Sequence, residues 1–229
     1  APDSYYPRIR EICDKYGILL IHDEVMSGAG RTGKYLGGDH WGCRPDIVAL
    51  SKGLGAGYCP LGAMIAHNRL VQPVLDNGGF AHGYTYAGNP LACAAGLAVL
   101  GEIERLGLLD SATRVGNLLK ANLEALSDRY PFIGDVRGKG MLLAAEFVSD
   151  RETMAPLPKQ LDAHQRIVDI AYERGLIIYS RRTRGGVEGD HFLVCPPMIT
   201  STEQADEITA ILDGALAQLA RELDLPMRG

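Results

Sequence analysis

The sequence has no long hydrophobic run and no excess of basic charge, and each absence excludes a class of protein. No apolar stretch approaches the roughly 20 residues that a membrane-spanning helix needs. A formal net charge of −5 argues against a nucleic-acid-binding protein, because such proteins present a basic surface. Charged residues lie among apolar ones near the N-terminus, which predicts an amphipathic helix and not a signal peptide.

Cysteine is sparse, and its pattern suggests neither a disulfide framework nor a metal centre. The five cysteines are odd in number and scattered, which favours reduced thiols and predicts a cytoplasmic protein. Among the histidines and cysteines, His40 and Cys43 lie closest together in the sequence, and no matching second pair completes a zinc site with them. We therefore predict no bound metal.

What is present is the composition of an ordinary globular protein. The 229 residues suffice for one or two domains, with 46% hydrophobic and 22% charged residues. Apolar spacing predicts helices near residues 3–16, 68–75, 90–106, 115–126, 160–174 and from 200 onward. It predicts strands near residues 17–25, 46–52, 61–66, 133–136, 141–147, 176–179 and 191–195, with a polar loop over 149–160. Gly107 interrupts the pattern, so we expect a domain over residues 1–106 and another over 107–229.

Two helix starts carry capping signals. Asn89 followed by Pro90 is typical of an N-cap and first helical residue, and residues 91–100 are apolar on all sides. We therefore expect that helix to be largely buried. Thr200 and Glu203 have the spacing of a capping box for the last helix.

Asp23 and Lys52 each end a predicted apolar strand, and this is the most informative pattern in the chain. Such runs are typical of parallel strands, whose carboxyl ends border the ligand site of an open α/β sheet. A lysine that can form a Schiff base and an acid that can partner a pyridinium nitrogen are what pyridoxal phosphate (PLP) requires. The alternative for either residue alone is a solvated turn position.

The residues after Lys52 strengthen this interpretation. A glycine-dense turn over residues 53–57 would let backbone approach a ligand closely. The next apolar strand, 61–66, follows too soon for a crossover helix, so we expect it to run antiparallel. His22 points to the face opposite Asp23, where a hydrogen-bonded core histidine paired with Glu24 is expected.

A competing motif lies between these strands. Residues 28–33 match the G-x-G-x-x-G pattern of dinucleotide-binding proteins. That pattern requires the turn to open a helix, whereas Gly37 and Gly38 follow shortly after and disfavour one. We expect a loop at this position.

The motif string resembles the class III aminotransferase family. The matching segments are residues 20–25, 30–33, 45–47, 51–53, 60–63, 82–92, 136–141, 189–191 and 196–197. The resemblance implies an α/β protein of fold type I, with part of the large mixed-sheet PLP domain in residues 1–106 and a smaller α+β C-terminal domain in 107–229. It implies that Lys52 is the Schiff-base lysine, Asp23 the pyridinium partner and Val25 a contact on the ring face. Thr85 would contact the cofactor phosphate of the neighbouring subunit in a homodimer.

The resemblance also sets expectations about what this chain encodes and what it acts on. Family members place a phosphate cup and a ring-stacking aromatic residue before the aspartate strand, so we expect a half-site with weak PLP binding. The expected reaction moves an amino group between an amine or ω-amino acid and a 2-oxo acid. An aminomutase, decarboxylase or racemase of the same fold, or a non-catalytic dimerisation module, remains an alternative. Arg182 or Arg184, which cluster with Arg181, would hold a substrate carboxylate or else form a solvated basic loop.

Overall fold

The computed structural model describes residues 1–228, and the chain divides into two compact units, Ala1–Leu109 and a second that starts at Asp110. Elements of the first unit are α1 (Tyr5–Tyr16), β1 (Ile21–Asp23), β2 (Ile47–Leu50), β3 (Ala63–Ala66), α2 (Asn68–Asp76) and α3 (Pro90–Arg105). From the unit boundary onward they are α4 (Leu108–Arg129), β4 (Ile133–Lys139), β5 (Leu142–Asp150), β6 (Ala155–Pro156), α5 (Ala163–Glu173), β7 (Tyr179–Thr183), β8 (Glu188–Val194) and α6 (Thr202–Glu222). Within residues 1–228, no helix is long and apolar enough to cross a membrane.

The sheet of the first unit has the order β1-β2-β3. β1 pairs with β2 in parallel, with Asp23 opposite Ala49, and β3 returns antiparallel to β2, as the short connection predicted. The strands are shorter than the apolar runs. Leu20 donates its N–H to the Asp46 carboxylate, so the ladder begins only at Ile21.

Helix α3 begins as predicted, but its predicted burial is wrong. The Asn89 side chain accepts hydrogen bonds from the N–H groups of Leu91 and Ala92. Leu91 and Leu97 are nevertheless 71% and 72% exposed. Within the first unit, α3 packs mainly on the turn after β2, where Gly96 lies against Leu61, and its other faces remain uncovered.

The second unit is an antiparallel sheet with three helices. The strand order is β4-β5-β8-β7, and β6 pairs with β5. One core joins the sheet to the apolar stripes of α4, α5 and α6, and its largest members are Tyr130, Phe132, Phe147 and Phe192. The helical spacing predicted for residues 115–126 is confirmed, because Val115, Leu119, Leu123 and Leu126 all lie in this core.

Several element boundaries in the second unit differ from the sequence-based predictions, and four of these differences have a visible local cause. β7 begins at Tyr179 and not at 176, because Leu176 N–H bonds to Ala171 O and closes the end of α5. α5 begins at Ala163, since Asp162 has φ of +51° and cannot continue the preceding turn as a helix. The loop over 149–160 contains β6, which extends the pairing of β5.

The fourth difference is the cap of α6. Its capping box is Ser201 with Gln204 and not Thr200 with Glu203. Gln204 N–H donates to the Ser201 hydroxyl, and Ser201 N–H donates to the Gln204 side chain. Thr200 N–H instead bonds to Pro197 O in the preceding turn, so the helix starts one residue later than predicted.

Candidate active site

Asp23 lies at the carboxyl end of β1 with its side chain on the exposed face of the strand. One carboxylate oxygen, Oδ1, accepts a hydrogen bond of 3.1 Å from Val25 N–H, the residue predicted to pack on a cofactor ring. Val25 is half-buried in the turn that follows. Within residues 1–228, Asp23 forms no ion pair, so its charge is available to a ligand.

Lys52 follows β2 at the same sheet edge and has an unusual backbone conformation. Its φ is +40°, a value that residues other than glycine rarely adopt. Lys52 is also the first residue of a single 3-10 turn over Lys52–Leu54. The turn is held by hydrogen bonds from Leu54 N–H to Ser51 O (2.9 Å) and from Gly55 N–H to Lys52 O (3.2 Å). Such a conformation costs roughly 1–3 kcal/mol and is concentrated at functional sites.

The glycine motif at residues 28–33 forms turns and opens no helix, as predicted. Gly28 lies against the end of β2, because a Cβ placed there would come within 2.5 Å of Leu50 Cδ2. Ala29, with φ of +52°, is buried and lies 3.3 Å from where a Cβ on Gly53 would stand. The turn after Asp23 therefore packs directly on the turn that carries Lys52.

Glu24 is a buried carboxylate that sequence reasoning assigned only a structural pairing with His22. It accepts hydrogen bonds from Ser27 Oγ (2.5 Å), Gly37 N–H (2.8 Å) and Gly38 N–H (2.9 Å). The two glycines lie 13 and 14 residues further along the chain. No local sequence pattern could have revealed this partnership.

His22 is buried and paired with Glu24 as expected, but only one of its two ring nitrogens has a hydrogen-bond partner among the described residues. Its Nε2 lies 3.8 Å from Cys43 Sγ, while Nδ1 has no hydrogen-bond partner and lies 3.9 Å from Glu24 Oε1. Burial lowers the pKa of His22, and the Glu24 charge opposes that shift only in part. The ring is packed between Tyr6, 5.5 Å away in edge contact, and the backbone of Gly38.

Asp46 lies just before β2 and stabilises the start of the parallel pair β1–β2 through hydrogen bonds. Its buried carboxylate accepts from Leu20 N–H and from Arg10 (each 2.9 Å), and Arg69 forms a second ion pair with it. The Leu20 N–H bond, followed by the Arg10 bond, lowers the pKa of Asp46. An acid at the start of a buried strand is a signal that sequence reasoning could have used.

The remaining predicted residues lie on the surface. Thr85 is exposed in a turn, and its hydroxyl forms no hydrogen bond within residues 1–228. Its chain neighbours Tyr84 and Tyr86, but not Thr85 itself, line an open apolar pocket of about 800 Å³ together with residues 59–64, 87–89 and 91–93. The predictions for Val25 and Thr85 as cofactor contacts stay predictions.

The two candidate arginines differ in their surroundings. Arg182 is nearly buried, and its guanidinium bonds to Asp190 through two nitrogens and to Asp162. Arg184 is 76% exposed on its side chain and pairs with Glu188. Both guanidinium groups are thus engaged by carboxylates of the chain itself, Arg182 by two and the more exposed Arg184 by one.

An acid and a lysine at the shared carboxyl edge of two parallel strands are the arrangement of a PLP-dependent enzyme of the α/β class. The residues fit that cofactor, since neither Asp23 nor Lys52 is held in an ion pair within residues 1–228. The family model of class III aminotransferases matches residues 1–216. The chain belongs to the class III aminotransferase family.

Individual relatives agree with this assignment. A taurine–pyruvate aminotransferase of Bilophila wadsworthia is 36% identical over 230 residues, which cover 98% of this chain and 50% of the relative. A leucine/methionine racemase of Thermococcus litoralis is 37% identical over 218 residues, covering 95% and 46%. The PLP-bound structure of an amine transaminase from an uncultivated Pseudomonas species matches with a TM-score of 0.87 and 40% identity, over 96% of this chain and 49% of that one. The chain spans about half the length of the curated relatives it matches.

Proposed function

We propose that this protein is a PLP-dependent aminotransferase that moves an amino group between an amine or ω-amino acid and a 2-oxo acid. The observation that carries the proposal is the pair Asp23 and Lys52 at one sheet edge of a class III family member. In this proposal residues 1–106 are the C-terminal part of the large PLP domain, and residues 107–229 form the small C-terminal domain.

Each of the predicted residues has a distinct task. Lys52 would hold the cofactor covalently, and its free Nζ would later carry a proton to and from the reacting carbon of the substrate. Asp23, ionised, would hold a proton on the pyridine nitrogen, and Val25 would give the ring an apolar contact. When bound, PLP supplies the electron sink that stabilises negative charge on the substrate carbon.

The assembly is part of the proposal. Thr85 is exposed and its hydroxyl forms no hydrogen bond within residues 1–228, which suits a contact to the phosphate held by a second subunit. We propose a cytoplasmic homodimer with shared sites. Arg184, and less favourably Arg182, would hold the substrate carboxylate.

A second reaction, racemisation, is favoured by one observation. The racemase relative is as similar to this chain as the aminotransferase relative is. A racemase would use the same lysine and aspartate but would return the proton to the substrate carbon itself. The decisive difference is therefore whether the amino group leaves the donor.

The test is amino-group transfer from taurine to pyruvate, followed as alanine formation, with L-leucine as a racemisation substrate in parallel. We expect alanine, and we expect Lys52→Ala to reduce its rate about 100-fold or more, because the proton carrier is lost. Lys34→Ala, an exposed lysine of the same unit, serves as the matched control. Formation of D-leucine without alanine would favour the racemase, and full activity of Lys52→Ala would overturn the assignment of the lysine.

A further inference from the structure

Glu24 connects the strand that carries Asp23 to a loop that returns from residues 37 and 38. Its carboxylate is 4% exposed and receives three donors: one hydroxyl from Ser27 and two backbone N–H groups from Gly37 and Gly38. Charge-assisted bonds of this kind are stronger than neutral ones, and a buried carboxylate left without them is strongly destabilised. Hydrogen bonds to the Glu24 carboxylate therefore hold the loop over residues 25–38 both near its start and at its end.

Gly37 and Gly38, at the end of the loop, allow its backbone to approach Glu24 and His22 closely. A Cβ on Gly37 would lie 3.1 Å from Glu24 Oε2, and a Cβ on Gly38 would lie 2.7 Å from His22 Nδ1. Side chains at these positions would push the loop away from the carboxylate. The contact between Glu24 and the loop is thus made by backbone packed directly on the strand.

The same loop contacts the turn of Lys52. Gly28 lies against Leu50, the last residue of β2, and Ala29 lies against Gly53, the residue after Lys52. Lys52 has a left-handed conformation that L-residues adopt only when their surroundings enforce it. A continuous set of contacts therefore leads from Glu24 through residues 28–29 to Leu50 and Gly53, which lie on either side of Lys52 in the chain.

We propose that Glu24 is a positioning residue whose carboxylate, by anchoring the loop over residues 25–38, holds the backbone of Lys52 in its left-handed turn. Glu24 touches neither Lys52 nor any ligand, and it acts through the loop. The benefit for cofactor attachment rests on the proposed function, whereas the structural coupling does not.

Glu24→Gln is the sharpest variant because it keeps the size of the side chain. Each carboxylate oxygen accepts from one backbone N–H, Oε2 from Gly37 and Oε1 from Gly38, so in either orientation the amide NH₂ faces an N–H and one hydrogen bond is replaced by a donor–donor contact. Ser27→Ala is the milder second variant, which deletes one donor and leaves the carboxylate intact. Glu11→Gln, on the exposed face of α1, is the matched control.

The measurement is amide hydrogen exchange in the 229-residue chain, read in the peptides that contain Gly37–Gly38 and Leu54–Gly55. We expect Glu24→Gln to speed exchange in both peptides by about tenfold or more, since a charge-assisted bond is lost, with a smaller rise for Ser27→Ala and none for Glu11→Gln. Faster exchange at 37–38 with no change at 54–55, in either variant, would overturn the proposed coupling. If Glu24→Gln does not fold, Ser27→Ala alone decides by the same comparison.

A second readout separates this inference from the proposed function. The proteins are incubated with PLP, reduced with borohydride and digested, and the fraction of Lys52 that carries a pyridoxyl group is measured. If Glu24 holds the Lys52 turn in place, the labelled fraction of Lys52 falls in Glu24→Gln and stays at the wild-type level in Glu11→Gln. An unchanged fraction in Glu24→Gln would overturn the proposed effect on Lys52. If exchange changes at both peptides but wild-type Lys52 takes no label even in a large excess of PLP, which offsets weak binding, the proposed function fails while the anchoring by Glu24 stands.

Discussion

Asp23 is the register partner of Ala49, and Lys52 follows Ala49 by three residues along the neighbouring parallel strand. In a parallel pair, a slip of one residue would turn Asp23 to the face where His22 is now buried. The offset between acid and lysine is therefore a property of the strand register. Asp46 supports that register from the opposite end, through its bonds to Leu20 and Arg10.

Asp23→Asn should retain the fold and lower amino-group transfer roughly 100-fold, because a neutral amide cannot keep a proton on the pyridine nitrogen. Activity and the absorbance of the bound cofactor should be measured together, with the exposed Asp76→Asn as the control. Unchanged turnover with an unchanged cofactor spectrum would show that another group faces the ring.

Asp46→Asn should lower the free energy of unfolding by about 2 kcal/mol near neutral pH, because the variant loses charge-assisted bonds to Arg10 and Leu20. The pKa of Asp46 is lowered in the folded state, so its contribution is present above the unfolded pKa of about 4 and is lost as pH falls through the lower folded value. Chemical denaturation at several pH values should show the two proteins converging below about pH 4. A difference that does not shrink in acid would contradict the assignment.

Tyr130→Phe tests the second unit at the other end of the pH scale. Tyr130 is fully buried and donates to Asp213 Oδ1 at 2.6 Å, and burial together with that bond raises its pKa to about 12. The stabilisation by its hydroxyl is therefore complete below the unfolded pKa of about 10 and is lost as pH rises through the folded value.

We expect Tyr130→Phe to be about 1 kcal/mol less stable at neutral pH, with the difference shrinking from about pH 10 upward. Thermal or urea unfolding across this range measures it, and Tyr172→Phe, an exposed tyrosine of the same unit, is the control. An advantage of the wild-type protein that persists undiminished in strong alkali would refute the role of the hydroxyl.

Local patterns predicted the strands that carry Asp23 and Lys52, because apolar runs ending in a single charged residue are visible within a few positions. The same reasoning failed for α3, whose apolar residues are 71–72% exposed at Leu91 and Leu97. An apolar pattern shows that a helix can be buried, but it does not say which surface covers it. The cap of α6 was misplaced by one residue because two capping boxes overlap in the sequence, and the turn at Thr200 decides between them.

The contacts that hold Glu24 and Lys52 in place could not be predicted from the sequence. Glu24 binds N–H groups 13 and 14 residues away, and the left-handed Lys52 depends on packing between two separate turns. Both features depend on how loops fold back, which neither periodicity nor residue type specifies. For Arg182 the sequence position suggested a role in substrate binding, whereas in the structure its guanidinium is bound by Asp190 and Asp162.

The central claim is that Lys52 is the lysine that bonds to the cofactor, and one measurement tests it most directly. The protein is incubated with excess PLP, reduced with borohydride, digested and mapped by mass spectrometry. The account predicts a pyridoxyl group predominantly on Lys52, lost in Lys52→Ala and not transferred to Lys34. A label concentrated on another lysine, or spread evenly over all of them, would contradict it.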